Sequence, residues 1–367
     1  MQTLTRASNE LFRRSPDECF PSLQAIWEHC YKRKELSLDR WSPPQNLRPD
    51  VREGGLLLSL GGEAVGDGFR MNDWSFAQLC RLGGVSKDTI NRLTAATACR
   101  VFNETLPSSE KPVQVLTAGD TVRSIHGVAY TRLWDVDILT MLREFATDFQ
   151  PPQRAGVGRA AAVASDDDMP FVPDPEPVPT NGTGLYCGEQ DTFLFLIDPL
   201  GWAEINGEAF APGFFVWNSE VGRRSVGVQT FWFQALCRNH IVWDAVEVVE
   251  FTRKHTANVH ESLNAIRTII ERLVETRDER RDGFAALIKK AMQTTLGVDA
   301  EAVLKVLADR GISRVVAKNA LEIARQKGRF TIFAVVDALT RLSARLPHAG
   351  DRAEADERAG RLLALAA

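Results

Sequence analysis

The chain lacks any apolar run near the roughly 20 residues that a membrane-spanning helix needs, so no membrane partner is expected. Its first residues, MQTLTRASNELFRRSPDE, have no apolar stretch of the signal-peptide kind, so no export signal is expected. The six cysteines (Cys19, Cys30, Cys80, Cys99, Cys187 and Cys237) are scattered, with no C-x-x-C pair. That excludes a zinc ribbon and a disulfide scaffold and points to a reducing cytoplasm. The glycine-rich stretch Gly54 to Gly68 lacks both the G-K-[ST] ending and the G-x-G-x-x-G order of phosphate loops. It reads as turns around a short strand, Leu56 to Leu60. No G-x-S-x-G is present, and no Cys–His nucleophile pair is readable. The net charge of −4 gives no global field for nucleic acid. A nucleic-acid binder of this composition therefore needs a local basic patch.

What is present in quantity lies between Gly207 and Asp244, where aromatic residues are densest. Pro212-Gly213 reads as a turn and Phe214 to Trp217 as a strand with apolar residues on both faces. Asn218 to Ser225 reads as a turn, because Asn and Ser bond their own backbone and Gly222 tolerates positive φ. Ser225 to Phe233 reads as the return strand. The resulting hairpin tip would carry Glu220, Arg223 and Arg224. It is either a solvated ion pair or a loop that offers planar, bidentate donors to phosphate or carboxylate. Trp217, Phe231, Trp232 and Phe233 are likewise either core or stacking platforms.

At 367 residues the chain has room for two or three domains. Residues 1–50 form a helical segment followed by a proline-rich break. Residues 51–149 hold a helix-turn-helix-like pair (Asp73 to Leu106, with Gly83-Gly84 ending one helix and Ser86 capping the next) and strands over Val113 to Leu116 and Thr121 to Leu133. A helix, Asp135 to Phe149, closes this unit. Residues 150–184 are rich in Pro, Gly, Ala and acids and read as a disordered linker or insert. Residues 185–250 read as an antiparallel meander, with Asn206-Gly207 as a hairpin turn, which the Thr121 strand would join. Residues 251–367 read as helices. Val259, Leu263, Ile266, Ile270, Leu273 and Val274 mark one apolar stripe there, and Gly311-Ile312-Ser313 repeats the Gly-turn, Ser-cap device before a helix over 315–327. The fold class is α+β: a curved antiparallel sheet packed on helices, followed by a C-terminal helical region.

For chemistry, His255 and His260 are five residues apart, about 140° around a helix, and do not share a face as an H-E-x-x-H pair does. No metal and no cofactor are expected. Glu189, Asp191, Asp198, Glu204, Glu208 and Glu220 lie in the meander and could place two carboxylates around Mg²⁺. The basic and aromatic residues Arg123, Tyr130, Arg132, Trp217, Arg223, Arg224 and Arg238, with the polar turn residues Asn218, Ser219 and Glu220, are the candidate nucleic-acid contacts.

The Gln78-Leu79-Cys80 helix with its GGVS turn, then TVRSIHGVAYTRL, then APGFFVWNSEVGRRSVGV, then ALCRNHIVWD, resemble the phage/plasmid-like family catalogued as domain of unknown function 932. The likeness covers most of residues 70–345 apart from the linker, and its most specific part is Asn218-Ser219-Glu220-Val221-Gly222. The chain departs at Arg223-Arg224, where small residues are commoner, and at His240, where Gly is commoner. The family carries no established activity. Its phage and plasmid setting implies a role in DNA replication, recombination or repair, and the architecture is similar to phage single-strand annealing proteins. The expectation is a non-enzymatic protein that binds or anneals single-stranded DNA and self-associates through the charged helix 256–290. The alternatives are a metal-dependent nucleic-acid enzyme using Asp191, Glu204 or Glu220, and a phage structural or interaction protein.

Overall fold

A computed structural model describes residues 18–52, 54–61, 68–151, 184–234, 239–241, 250–326, 328–343, 355 and 358–366. The chain is a mixed α+β protein, as its sequence pattern implies. Helix α1 (Leu23–Glu35) begins where the Ser22 hydroxyl accepts the Ala25 N–H at 3.1 Å. It ends with Lys32, Arg33 and Lys34 in its last turn, where cations suit the negative end of the helix dipole. Four strands then form one sheet in the order β1 (Ser37–Ser42), β5 (Val113–Ala118), β6 (Thr121–Gly127), β4 (Arg70–Met71). A separate ribbon pairs β2 (Leu47–Arg52) with β3 (Gly55–Leu60). Helices α2 (Asp73–Leu82), α3 (Lys87–Ile90) and α4 (Ala95–Thr105) belong to the same lobe. Its core contains Leu58, Leu79, Phe102, Val115 and Val122. The α2–α3 pair does not have the proportions of a DNA-reading helix pair, since α3 is a single turn.

The central sheet has seven strands: β7 (Leu185–Cys187), β8 (Thr192–Ile197), β9 (Ala203–Ile205), β10 (Glu208–Asn218), β11 (Val226–Gln234), β12 (Asn239–Ile241) and β13 (Glu250–Arg253). All described pairings within it are antiparallel. The Thr121 strand does not join it; β5 and β6 pair with each other and with β1 and β4. Asn206 (φ 51°) and Gly207 (φ 79°) link β9 to β10, the two positive φ values of a type I′ turn. Pro212-Gly213, expected to be a turn, lies inside the long strand β10. Pro212 sits where β10 exchanges one neighbour for another, after Phe210 pairs with β9 and before Gly213 pairs with β8. A proline is tolerated there because a missing N–H costs least at a break in the ladder. Gly213 is fixed by space: a Cβ would lie 2.4 Å from the Leu196 carbonyl oxygen.

Side chains alternate across β10. Phe214 and Val216 face a core built with α1, α5 (Asp135–Phe145) and α6 (Glu261–Glu275). That core buries Val259, Ile266, Ile270 and Leu273, so these residues of the stripe expected to recruit another subunit pack within their own chain. The region expected to be helical from residue 251 begins instead with a strand, Glu250–Arg253, and the long helix breaks at Thr276 before α7 (Arg277–Gln293). Phe215 and Trp217 point to the opposite face, with Phe193, Phe195 and Phe231. Trp232 stacks on Phe284 of α7 at 3.9 Å and 3°. This contact joins the sheet to a third core formed by α8 (Ala300–Asp309), α9 (Arg314–Arg325), α10 (Ile332–Ser343) and a 3-10 turn at Arg361–Leu365, which stands where a terminal helix is expected. No described helix is long and apolar enough to cross a membrane. The expected linker falls almost wholly outside the described residues, as does Arg238.

Candidate functional site

The turn between β10 and β11 is the meeting point of the lobes, and it is buried. Asn218, Ser219 and Glu220 are each at most 1% exposed. The turn closes on itself through Gly222 N–H to Ser219 C=O at 3.0 Å and Arg223 N–H to Ser219 Oγ at 3.0 Å. The Ser219 hydroxyl donates in turn to the Gln190 carbonyl, docking the turn on the β7–β8 connection. Asn218 Nδ2 donates to the Leu133 carbonyl at 2.9 Å and to Asp135 Oδ1 at 2.7 Å.

Glu220 has the most partners. Its Oε1 accepts the Asp135 N–H at 3.1 Å. The N-cap of α5 is Trp134, which has no side-chain acceptor, so the Glu220 carboxylate takes over the capping role at the positive end of that helix. Its Oε2 accepts from Arg123 Nη1 at 2.9 Å and lies 3.2 Å from Arg33 Nη2. Its backbone carbonyl accepts from Tyr130 Oη at 2.7 Å and from Arg132 Nη1. Arg33 also donates to Asp135 Oδ2 at 2.7 Å and to the Gly188 carbonyl at 2.8 Å. Arg132 grips Asp39 with two donors, at 3.0 and 2.6 Å. Two arginines thus face two carboxylates, and a third arginine holds its own. This is the arrangement that makes burial of such groups tolerable.

Electrostatics follow from this packing. Burial pushes the Glu220 carboxyl up, but Arg33 and Arg123 outweigh it and hold the group below the usual carboxylate range. Burial and the neighbouring Glu220 charge push Asp135 up, against Arg33. Gly222, at φ +68°, packs against the stacked rings of His126 and Tyr130, which are 3.7 Å apart. A Cβ there would lie 2.6 Å from His126 Cε1 and 2.7 Å from Tyr130 Cε2. His126 Nε2–H donates to the Val221 carbonyl at 2.8 Å, as does Trp74 Nε1–H at 2.8 Å. Burial lowers the His126 pKa to about 4, and lowers that of His255, stacked on the other side of Tyr130, to about 4 as well.

The structure sorts the expected contact residues into two groups. Arg123 and Arg132 are 6% and 5% exposed and, with Asn218, Ser219, Glu220 and the Tyr130 hydroxyl, hold the turn together. The sequence pattern makes them candidates for ligand contact because strand alternation reveals which residues share a face and not which face is covered. Trp217, Arg223 and Arg224 keep partial exposure. Arg224 Nε donates to Asp191 at 2.9 Å while its guanidinium lies over the Phe193 ring at 5.3 Å, and Arg223 donates to the Gln190 side chain. Trp217 pairs with Phe193 in register, and Phe215 is stacked on Phe195 at 5.0 Å.

Sequence reasoning missed Arg33, Asp39, Asp135 and the pair Cys30–Cys187, whose sulfurs are 3.6 Å apart. They lie on α1, β1, α5 and β7, far apart in the chain, and no local pattern joins them. Cys30, Cys187 and Asp135 bring three metal-type donors within 4.8 Å of one another. Both Asp135 oxygens, however, accept hydrogen bonds from Asn218, Thr192 and Arg33, which fits a charge-balanced lock better than a metal site. The acids weighed for Mg²⁺ are dispersed in employment: Glu220 is held by arginines, Asp191 by Arg224, and Glu204 is exposed on β9. No family model, no curated protein and no solved structure matches the chain.

Proposed function

We propose that the protein is a non-catalytic, single-strand nucleic-acid-binding protein whose contact surface is the end of the central sheet around Trp217, Arg223 and Arg224. The observation that carries this reading is that Trp217 is the cross-strand partner of Phe193 and the Arg224 guanidinium lies over the Phe193 ring at 5.3 Å, at the end of an aromatic sheet face. A partly exposed ring beside a guanidinium is the combination that stacks a base and pairs with its phosphate. The buried network supports the reading from the other side. Its carboxylates and arginines are spent on one another, so the turn is a rigid mount rather than a reacting group. The resemblance to the phage/plasmid-like family favours a role in handling DNA strands, and annealing needs no acid–base residue. We place the protein in a reducing cytoplasm, in keeping with described cysteines that form no disulfide.

Fluorescence anisotropy with a labelled single-stranded oligonucleotide tests this. The wild type should bind, and Arg223→Ala/Arg224→Ala should weaken binding at least roughly tenfold under conditions where urea unfolding shows the variant folded, because loss of the Arg224–Asp191 pair lowers stability and each lost phosphate contact lowers affinity and flattens the salt dependence. Undiminished binding by the double variant would move the site elsewhere. Mg²⁺-dependent cleavage of the oligonucleotide would favour the enzyme instead.

A further inference from the structure

The C-terminal helical unit carries a second surface of a different kind. Helices α8 and α9 are joined by four residues, Arg310 to Ser313. Gly311 turns the chain at φ +75°, and the Ser313 hydroxyl caps α9 by accepting the Val316 N–H at 3.4 Å. This is the Gly-turn, Ser-cap device also seen at Gly83 to Ser86, but here the second helix has 12 residues. It is about 18 Å long at 1.5 Å per residue. One side of α9 is made of small or apolar residues, Ala317, Ala320, Leu321 and Ala324, all buried against the third core.

The opposite side is open. Arg314, Val315, Lys318, Asn319, Glu322, Arg325 and Gln326 are all exposed and fall within an arc of about 140° on the helix. Val315 is 71% exposed, an apolar residue at the start of a helix with no described neighbour to cover it. Between Arg310 and Arg329 the sequence has six Lys and Arg residues and one acid, Glu322, a local charge of +5 in a chain of net charge −4. An ordinary solvated helix mixes its signs, as α6 does with Glu261, Arg267, Glu271, Arg272 and Glu275. Three of these cations, Arg314, Lys318 and Arg325, lie on α9 itself with Glu322, and Arg310, Lys327 and Arg329 flank its two ends in the sequence. Arg314 lies 3.8 Å from the exposed Glu301 of α8. The helix and its ends together form a local basic patch that the overall composition fails to supply.

We propose that α9 is a duplex-DNA docking helix that enters the major groove, with Arg314, Lys318 and Arg325 on the phosphates and Val315, Asn319 and Gln326 toward base edges. The chemistry fits that partner. A major groove about 12 Å wide admits a helix, Asn and Gln pair with adenine, and an apolar side chain meets the thymine methyl group. The narrow major groove of A-form RNA does not admit the helix, so the surface selects DNA. The site is separate from the one around Trp217, and neither rests on the other.

The test uses the full chain and two labelled probes, a mixed-sequence DNA duplex and a single strand, read by anisotropy across a salt series. The substitutions Lys318→Glu/Arg325→Glu lie on the exposed face and should leave the circular dichroism unchanged. Duplex affinity should fall at least roughly tenfold and the salt slope should shrink by about two, as expected for two lost phosphate contacts. Single-strand binding should stay as in the wild type. Double-stranded RNA should compete poorly with the DNA duplex. The proposal is overturned if the wild type fails to bind duplex at low salt, if the double variant binds duplex like the wild type, or if double-stranded RNA competes equally. The single-strand probe reports separately on the surface around Trp217.

Discussion

Glu220→Gln is the substitution that most sharply distinguishes a buried lock from a solvated hairpin tip. Glutamine keeps the size of the side chain and can still offer an oxygen to the Asp135 N–H, which Glu220 now accepts at 3.1 Å. It cannot offer a charge to Arg123 and Arg33, which lie 2.9 and 3.2 Å from Oε2. Its amide nitrogen would meet those guanidinium donors with another donor. Removing one partner of a buried ion pair costs about 3–5 kcal/mol, because the remaining charge stays desolvated. Here Arg123 loses the carboxylate it holds while Arg33 keeps Asp135 at 2.7 Å, so the lower part of that range, about 3 kcal/mol, is expected. A loss of this size is a large share of the roughly 5–15 kcal/mol that stabilises a folded domain. Urea unfolding followed by circular dichroism measures it. Arg281→Ala, which removes surface ion pairs with Asp278 and Asp282, serves as control and should change stability by no more than about 1 kcal/mol. A Glu220→Gln loss below about 1 kcal/mol would mean that water already serves the arginines, and the lock would not exist.

Three further outcomes follow from the same geometry. Gly222→Ala should cost about 2–4 kcal/mol in urea unfolding, combining the left-handed backbone with a Cβ forced against His126 and Tyr130. Phe284→Ala should cost about 3–5 kcal/mol by emptying the stack against Trp232, and should expose the C-terminal helices to limited proteolysis before the N-terminal lobe. Stability should fall as pH drops from about 6.5 toward about 4. In that window the unfolded chain protonates His126 and His255 while the folded protein keeps them neutral, so unfolding takes up protons; each histidine contributes on the order of 3 kcal/mol over the full span. Urea midpoints measured across this range check it, and a flat profile would contradict neutral buried imidazoles.

Local signals were legible in the sequence and long-range ones were not. Asn206-Gly207, the caps at Ser86 and Ser313 and the strand Leu56 to Leu60 act within a few residues, and each is where its chemistry places it. Pro212-Gly213 misled because the same dipeptide that makes a turn also fits a strand where it changes partner and a neighbouring carbonyl comes close. Alternation along TVRSIHG correctly marks a strand, but nothing in it says that β6 belongs to the N-terminal sheet. The turn residues Asn218, Ser219 and Glu220 stood out by composition, and they are at the centre of the molecule. Their polarity suggested solvent, because the groups that neutralise them come from α1, β6 and the start of α5, up to nearly 190 residues away in the chain. A charged residue in a turn reads as exposed until its partners are known.

Photocrosslinking of a bromodeoxyuridine-substituted single strand to the 367-residue chain, with the adducts mapped by mass spectrometry, locates the bound strand on the protein surface. An adduct is expected on the peptide that spans Phe214 to Arg224, at Trp217, and Arg223→Ala/Arg224→Ala should diminish it. Adducts confined to other segments, or none under conditions where the strand is bound, would contradict a contact surface around Trp217.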